Sequence, residues 1–134
     1  MANREELLII RAARAGGAGI ERRVLTPFEA QPDDVLRADA LGGEGLAWIE
    51  EPTRADDYAG HAQIRARSRV PIQIGENFHG PSEMRTALAA SASDLVMPDA
   101  QFIHGVTGWL EASALARTAG LPMSSHTFVE ASAQ

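Results

Sequence analysis

A length of 134 residues suits one domain and is too short for two. The formal net charge is −6, with no stretch of the concentrated positive charge that a phosphate backbone requires, which argues against nucleic acid as a partner. The sequence lacks cysteine and lysine, so a bound metal would need oxygen or nitrogen ligands, and no lysine can act as a base.

The first apolar run of the chain is too short and too closely flanked by charge for a signal peptide or a membrane span. It covers residues 7–10, follows Glu5 and Glu6, and ends at Arg11. We therefore expect a soluble, cytoplasmic protein with no membrane partner.

The segment that follows has little pattern. Residues 11–23 mix Ala, Gly and Arg without a period, and a helix is predicted only over Pro32–Ala40, where Gly42 and Gly43 end it. We therefore predict two parts: an irregular, degenerate amino-terminal segment with one helix at residues 1–45, and a regular domain at 46–134.

From Leu46 onward, four short apolar runs each end in an acidic or imidazole side chain, and an amphipathic stretch follows each of the first three. A helix is predicted at about 58–66, a second beginning with Pro81 after Gly80, and a third capped by Thr107 and ending at Gly120. The runs end at Glu50, Glu76, Asp99 and His126, 26, 23 and 27 residues apart. This spacing predicts an α/β fold of parallel strands joined by helices.

The four residues that end the runs are candidates for one site, because the carboxyl ends of parallel strands meet on one side of a barrel or sheet. Converging carboxylates would repel one another without a cation, and oxygen ligands suit Mg²⁺. Taken singly, each acid is more often a helix cap or a solvated loop residue, and a lone histidine is more often structural. The repetition favours a site.

Five stretches resemble the fourth to seventh barrel strands of mandelate racemase and its relatives in the enolase superfamily, in order and in spacing. They are Trp48-Ile49-Glu50-Glu51-Pro52, Gly75-Glu76-Asn77, Met97-Pro98-Asp99-Ala100, Gly105-Val106-Thr107-Gly108-Trp109 and Pro122-Met123-Ser124-Ser125-His126. The resemblance implies that residues 46–134 form part of a (β/α)8 TIM-type barrel, with four to five strand–helix units.

The same resemblance implies roles for individual residues. Glu50 and Glu76 would be two of three ligands of Mg²⁺, for which Mn²⁺ could substitute, and His126 would be a general base oriented by Asp99. The substrate would be a small carboxylate, either a 2-hydroxy acid or an acid sugar, and the reaction a racemisation or a dehydration. Glu51 is the weaker ligand candidate, because neighbours along a strand point to opposite sides.

Three parts of the family's site have no secure counterpart in this sequence: a lysine pair, a third metal carboxylate and an acid on the eighth strand. Glu21 is the nearest acid to the place expected for the third ligand. A complete barrel needs about 250 residues. We therefore expect a truncated or frame-disrupted gene. We also expect a chain that either forms a homo-oligomer, such as a barrel-like dimer, or is only marginally stable, because open sheet edges favour association.

Two hypotheses from different classes remain. The chain is either a Mg²⁺-dependent racemase or dehydratase with an incomplete site, or a catalytically inactive α/β half-barrel that acts as a self-associating scaffold. Metal-dependent stabilisation and proton exchange on a carboxylate substrate distinguish them.

Overall fold

The structure, a computed structural model, describes residues 10–14, 20–23, 43, 45–128 and 130. The helix predicted over 32–40 lies outside these residues. In the described part of the chain, no helix is long and apolar enough to cross a membrane.

A five-stranded mixed sheet forms the framework, with strand order β2-β1-β3-β4-β5. Strands β3, β4 and β5 are parallel, whereas β1 is antiparallel to both of its neighbours. The strands span Ile10–Arg14 (β1), Ile20–Arg23 (β2), Leu46–Glu50 (β3), Ile72–Ile74 (β4) and Leu95–Val96 (β5). The predicted α/β fold is therefore confirmed, and the three parallel strands are those that the sequence indicated.

A helix follows each parallel strand: α1 at Tyr58–Arg65, α2 at Pro81–Ala89 and α3 at Gly105–Ala119. The Asp57 carboxylate caps α1 by accepting a hydrogen bond from the Gly60 backbone N–H at 2.8 Å. Pro81 opens α2, as predicted, because its missing N–H costs nothing in the first turn.

The start of α3 differs from the prediction. Thr107 is not the cap, because α3 begins two residues earlier, after His104 in a left-handed conformation with φ of 75°. A turn anchored on Asp99 sets this start, since the Ile103 N–H donates to the Asp99 carbonyl at 2.9 Å. Gly108 lets the first helical turn close, because a Cβ there would lie 1.5 Å from the Ile103 carbonyl oxygen.

The parallel strands present two chemically different faces. One, which we call the helix face, carries Ile49, Ile72, Ile74 and Val96, all buried in one cluster with apolar side chains of the three helices. The other, which we call the polar face, carries Trp48, Glu50 and Gln73. Register supports this division, because Ile49 pairs with Ile72 and Glu50 with Gln73, and side chains alternate along a strand.

The fourth predicted run adds to the sheet without forming a continuous strand. Met123 forms a parallel bridge with Val96, and His126 forms one with Asp99. The Ser124 N–H donates to the Val96 carbonyl at 2.9 Å, and the His126 N–H to the Pro98 carbonyl at 3.2 Å. This segment thereby brings His126 beside the end of β5.

The segment 1–45, predicted to be irregular, contains β1 and β2. Neither strand was predicted, because a mixture of Ala, Gly and Arg lacks the alternation that marks a strand. The boundary at 45/46 stays a prediction. Across it, β1 pairs with β3.

Candidate active site

Three of the four predicted site residues form a contiguous group at the carboxyl ends of the parallel strands. The His126 imidazole lies between two carboxylates, with Nδ1 3.1 Å from Asp99 Oδ2 and Nε2 3.0 Å from Glu76 Oε2. Each ring nitrogen therefore faces a carboxylate oxygen, and a neutral imidazole that donates from Nδ1 to Asp99 keeps Nε2 as an acceptor.

Asp99 is buried and held by several donors. Its Oδ1 accepts the Gln101 backbone N–H at 2.7 Å, and its Oδ2 accepts the Thr127 hydroxyl beside His126. Burial raises the pKa of the Asp99 carboxyl, but these donors outweigh burial and lower the pKa below its ordinary value. Asp99 is therefore ionised at neutral pH and fixed in position, as a group that orients an imidazole needs to be.

Glu76 owes its position to a tight turn after β4. Gly75, with φ of 134°, lies so close to β5 that a Cβ would approach the Met97 backbone N and the Phe78 ring at 3.0 Å. A side chain at position 75 would push β4 and β5 apart. Glycine therefore allows Glu76 to approach His126.

Glu50 ends β3 on the polar face, and only 7% of its surface is exposed. Its neighbour Glu51 has a positive φ of 41° and binds the loop after β4, accepting the Gly75 N–H at 3.2 Å and the Asn77 side-chain amide at 2.7 Å. The adjacent carboxylates thus have different environments. The assignment of Glu50 rather than Glu51 as a metal ligand stays a prediction, consistent with these contacts.

The donor set suits a hard divalent cation only in part. Glu50 and Glu76 supply carboxylate oxygens at neighbouring strand ends, and Mg²⁺ is commonly held by one or two carboxylates together with water and substrate. Gln73, in the same row as Glu50, has a buried side-chain oxygen without a hydrogen-bond partner. Among the described residues, however, no group of three or more acidic, histidine or cysteine side chains is arranged to hold a metal.

Glu21, the candidate third ligand, lies on β2, which β1 separates from β3. The register places it in the row of Ala12 and Ile49, one residue out of step with Glu50. This backbone position does not favour Glu21 as a partner of Glu50.

Two groups were not predicted from the sequence: one contacts the site, and the other lies beside Glu50 on the neighbouring strand. Thr127 donates to Asp99, and Gln73 donates its side-chain amide to the Ser124 hydroxyl at 2.9 Å. The position of Gln73 between two isoleucines of an apolar strand could have indicated a buried polar group. Nothing in the local sequence pattern indicated the contact of Thr127.

Comparison with known proteins extends these observations. A family model described as "Enolase C-terminal domain-like" matches residues 8–134. The chain is 38% identical over 85 residues to L-talarate/galactarate dehydratase of Salmonella typhimurium, covering 63% of this chain and 21% of the relative.

Two crystal structures are similar in fold and in sequence. One is an enolase from Bradyrhizobium complexed with magnesium and mandelic acid, at 46% identity and a TM-score of 0.72, covering 75% of this chain and 28% of that one. The other is a mandelate racemase/muconate lactonizing enzyme from Polaromonas sp. JS666, at 33% identity and a TM-score of 0.71, covering 74% of this chain and 27% of that one.

The chain therefore spans between 21% and 28% of the length of these three relatives. The predicted resemblance to mandelate racemase is confirmed at the level of the family. Because the family match runs through nearly all of the sequence, the chain belongs to the enolase C-terminal domain-like family of the enolase superfamily.

Proposed function

We propose that this chain holds a divalent cation, Mg²⁺ or Mn²⁺, through Glu50 and Glu76, and that His126, oriented by Asp99, removes the proton next to the carboxylate of a small acid. The observation that carries the proposal is the position of the His126 ring, between Asp99 at 3.1 Å and Glu76 at 3.0 Å. In this position the proposed base contacts both its orienting group and one of the proposed metal ligands.

The chemistry of the substrate explains why these groups belong together. A proton next to a carboxylate is very weakly acidic, and a bound divalent cation stabilises the negative charge that its removal leaves on the oxygens. Histidine is suited to take such a proton near neutral pH. Asp99 contacts Nδ1, so Nε2, the nitrogen nearest Glu76, is the one we assign to take the proton.

The relatives support the class of ligand. One is a dehydratase of talarate and galactarate, which are acid sugars, and another is complexed with magnesium and mandelic acid, which is a 2-hydroxy acid. We accordingly propose a small hydroxylated carboxylate as the substrate of this chain.

Composition restricts the reaction. A racemase that uses two bases needs a second base on the other side of the substrate carbon, and the sequence has no lysine to supply one. In dehydration of an acid sugar, His126 would take the α-proton and, as the imidazolium so formed, return it to the leaving hydroxyl, which departs as water. Exchange of the α-proton with solvent needs the same single group. His126 alone therefore suits dehydration or proton exchange, and these are the reactions that we propose for it.

Thermal unfolding with and without Mg²⁺ tests the metal site. A ligand present at 100 times its Kd stabilises a folded protein by about 2.7 kcal/mol, which raises the melting temperature by several degrees. Glu76→Gln should abolish this rise, while Glu111→Gln, which removes one exposed carboxylate on α3, should preserve it. If neither Mg²⁺ nor Mn²⁺ raises the melting temperature of the wild type, the proposed metal site is wrong.

Proton exchange tests the base. Mandelate and galactarate are incubated with the protein and Mg²⁺ in deuterated water, and loss of the α-proton signal is followed by NMR. The wild type should exchange faster than His126→Asn. Equal rates in the two proteins would exclude His126 as the base.

The second candidate function, an inactive half-barrel scaffold, rests on the absence of lysine and of a three-ligand cluster in the described residues. It predicts folding without metal dependence and self-association, which light scattering coupled to gel filtration measures. A metal-independent oligomer without exchange activity would favour this function, and Mg²⁺-dependent exchange would exclude it.

A further inference from the structure

We infer that Gln73 is a further recognition residue of the site: its side-chain oxygen accepts a hydrogen bond from an O–H group held beside Glu50, either water on the bound cation or a substrate hydroxyl. This inference rests on the proposed function.

The position of Gln73 in the sheet is the first observation. It lies at the centre of β4 between two residues of the helix face, so its own side chain projects from the polar face. It is the register partner of Glu50 on the adjacent parallel strand. Side chains paired in this way lie on the same face, so the amide is a neighbour of the proposed metal-binding carboxylate.

The state of the amide is the second observation. Gln73 is 3% exposed, and its Nε2 donates to the Ser124 hydroxyl at 2.9 Å, whereas its Oε1 has no hydrogen-bond partner among the described residues. A buried acceptor without a donor is unfavourable, and such groups in folded proteins are nearly always satisfied. Oε1 is therefore available to accept a hydrogen bond from a bound ligand.

The chemistry of the neighbourhood restricts that donor. Both Glu50 and Oε1 are acceptors, and a hydrated cation suits them together, because the cation would bind the carboxylate while its water donates to the amide oxygen. A hydroxylated carboxylate could donate in the same way. Trp48 Nε1, on the same face two residues before Glu50, is a second buried polar atom without a partner in the described part of the chain.

The experiment compares wild type, Gln73→Leu and Ser124→Ala. Mn²⁺ binding is measured by electron paramagnetic resonance without substrate, and galactarate binding by calorimetry at saturating Mn²⁺. Losing a group that hydrogen-bonds to a metal site usually weakens metal affinity 10- to 100-fold, so Gln73→Leu should weaken one of the two affinities by at least about tenfold. Ser124→Ala keeps the acceptor and should stay within about threefold of wild type.

Melting temperature without metal separates recognition from a structural role. Gln73→Leu removes a buried unpartnered acceptor, so the variant should melt at or above the wild-type temperature. A residue that only supports the fold would show the reverse, a lower melting temperature with unchanged affinities. If the branched leucine prevents folding, Gln73→Met, with an unbranched side chain of similar length, replaces it in every measurement.

Each outcome has a distinct meaning. Weaker Mn²⁺ binding identifies cation-bound water as the donor, and a loss confined to galactarate binding identifies a substrate hydroxyl. Unchanged values in both measurements overturn the inference and leave the proposed function intact. A wild-type chain that binds no Mn²⁺, or a Glu50→Gln variant that binds it as well as wild type does, overturns the proposed metal site and this inference with it.

Discussion

The helix face and the polar face of the parallel strands differ by one residue in register and completely in chemistry. Ile72 and Gln73 are consecutive and both are buried, yet Ile72 packs in an apolar cluster while Gln73 has an unpartnered polar atom. The helix face gains stability by excluding water, whereas on the polar face the buried Gln73 oxygen and Trp48 Nε1 lack a hydrogen-bond partner among the described residues. The two faces should therefore respond differently to substitution.

The largest effect is expected on the helix face. Ile72→Ala removes a fully buried side chain and leaves a cavity, which should lower the free energy of unfolding by about 2–5 kcal/mol. Urea denaturation measures the change. Ile72→Val, which removes one methylene, should cost only about 0.5–1.5 kcal/mol. Similar losses in the two variants would show that the sheet is not packed tightly against the helices.

His61 on α1 is a buried polar side chain on the helix side of the sheet. Its ring is 0% exposed, and neither nitrogen has a hydrogen-bond partner among the described residues. Burial lowers the pKa of His61 from 6.5 to about 4, against the opposing effect of the Arg54 backbone and the Asp57 charge.

This lowered pKa makes stability depend on pH. Because the unfolded chain binds the proton first, the contribution of His61 is neutral above pH 6.5 and becomes destabilising as pH falls, reaching about 3 kcal/mol at pH 4. His61→Leu removes the group. The unfolding free energy of the variant, measured relative to wild type, should therefore rise by that amount from pH 7 to pH 4. A constant difference would mean that the ring is solvated or paired.

The sequence predicted those features of the fold that depend on neighbouring residues, and it did not predict those that depend on contacts between distant segments. Gly80 followed by Pro81 predicted the start of α2 correctly, because a proline at the first helical position acts through its own backbone. Strands β1 and β2 were missed because β1 pairs with β3, which is distant in sequence, and β2 joins the sheet only through β1. His61 could be placed on a helix, but only tertiary packing decides which side of that helix is buried.

The candidate site likewise has contacts that the sequence predicted and contacts that it did not. The grouping of Glu76, Asp99 and His126 followed from the rule that parallel strand ends meet, and the structure brings them into contact. The conformation of Glu51 and the hydrogen bond from Thr127 depend on how loops close over the strand ends. Sequence periodicity does not describe loops, so these contacts could not be predicted.

The smallest of the expected effects is at the rim, where the two faces end. Asp99→Asn replaces the ionised carboxylate that contacts His126 and Thr127 with a neutral amide, which should cost about 1–3 kcal/mol at pH 7. The folded-state pKa of Asp99 is lowered, so its stabilising effect is present above the ordinary value of 3.8 and is lost as pH falls through the folded-state value. The difference in unfolding free energy between Asp99→Asn and wild type should therefore become smaller at acidic pH.

Thr127→Val is the matched control, because it removes one donor and leaves the Asp99 charge in place. It should cost about 0.5–1.5 kcal/mol at pH 7, the usual net contribution of one hydrogen bond, and it should slow exchange of the α-proton less than Asp99→Asn does. If Asp99→Asn destabilises the protein without slowing exchange, Asp99 only closes the turn before α3. If Asp99→Asn lowers both the stability and the exchange rate while Thr127→Val retains exchange, the carboxylate that anchors this turn also orients His126.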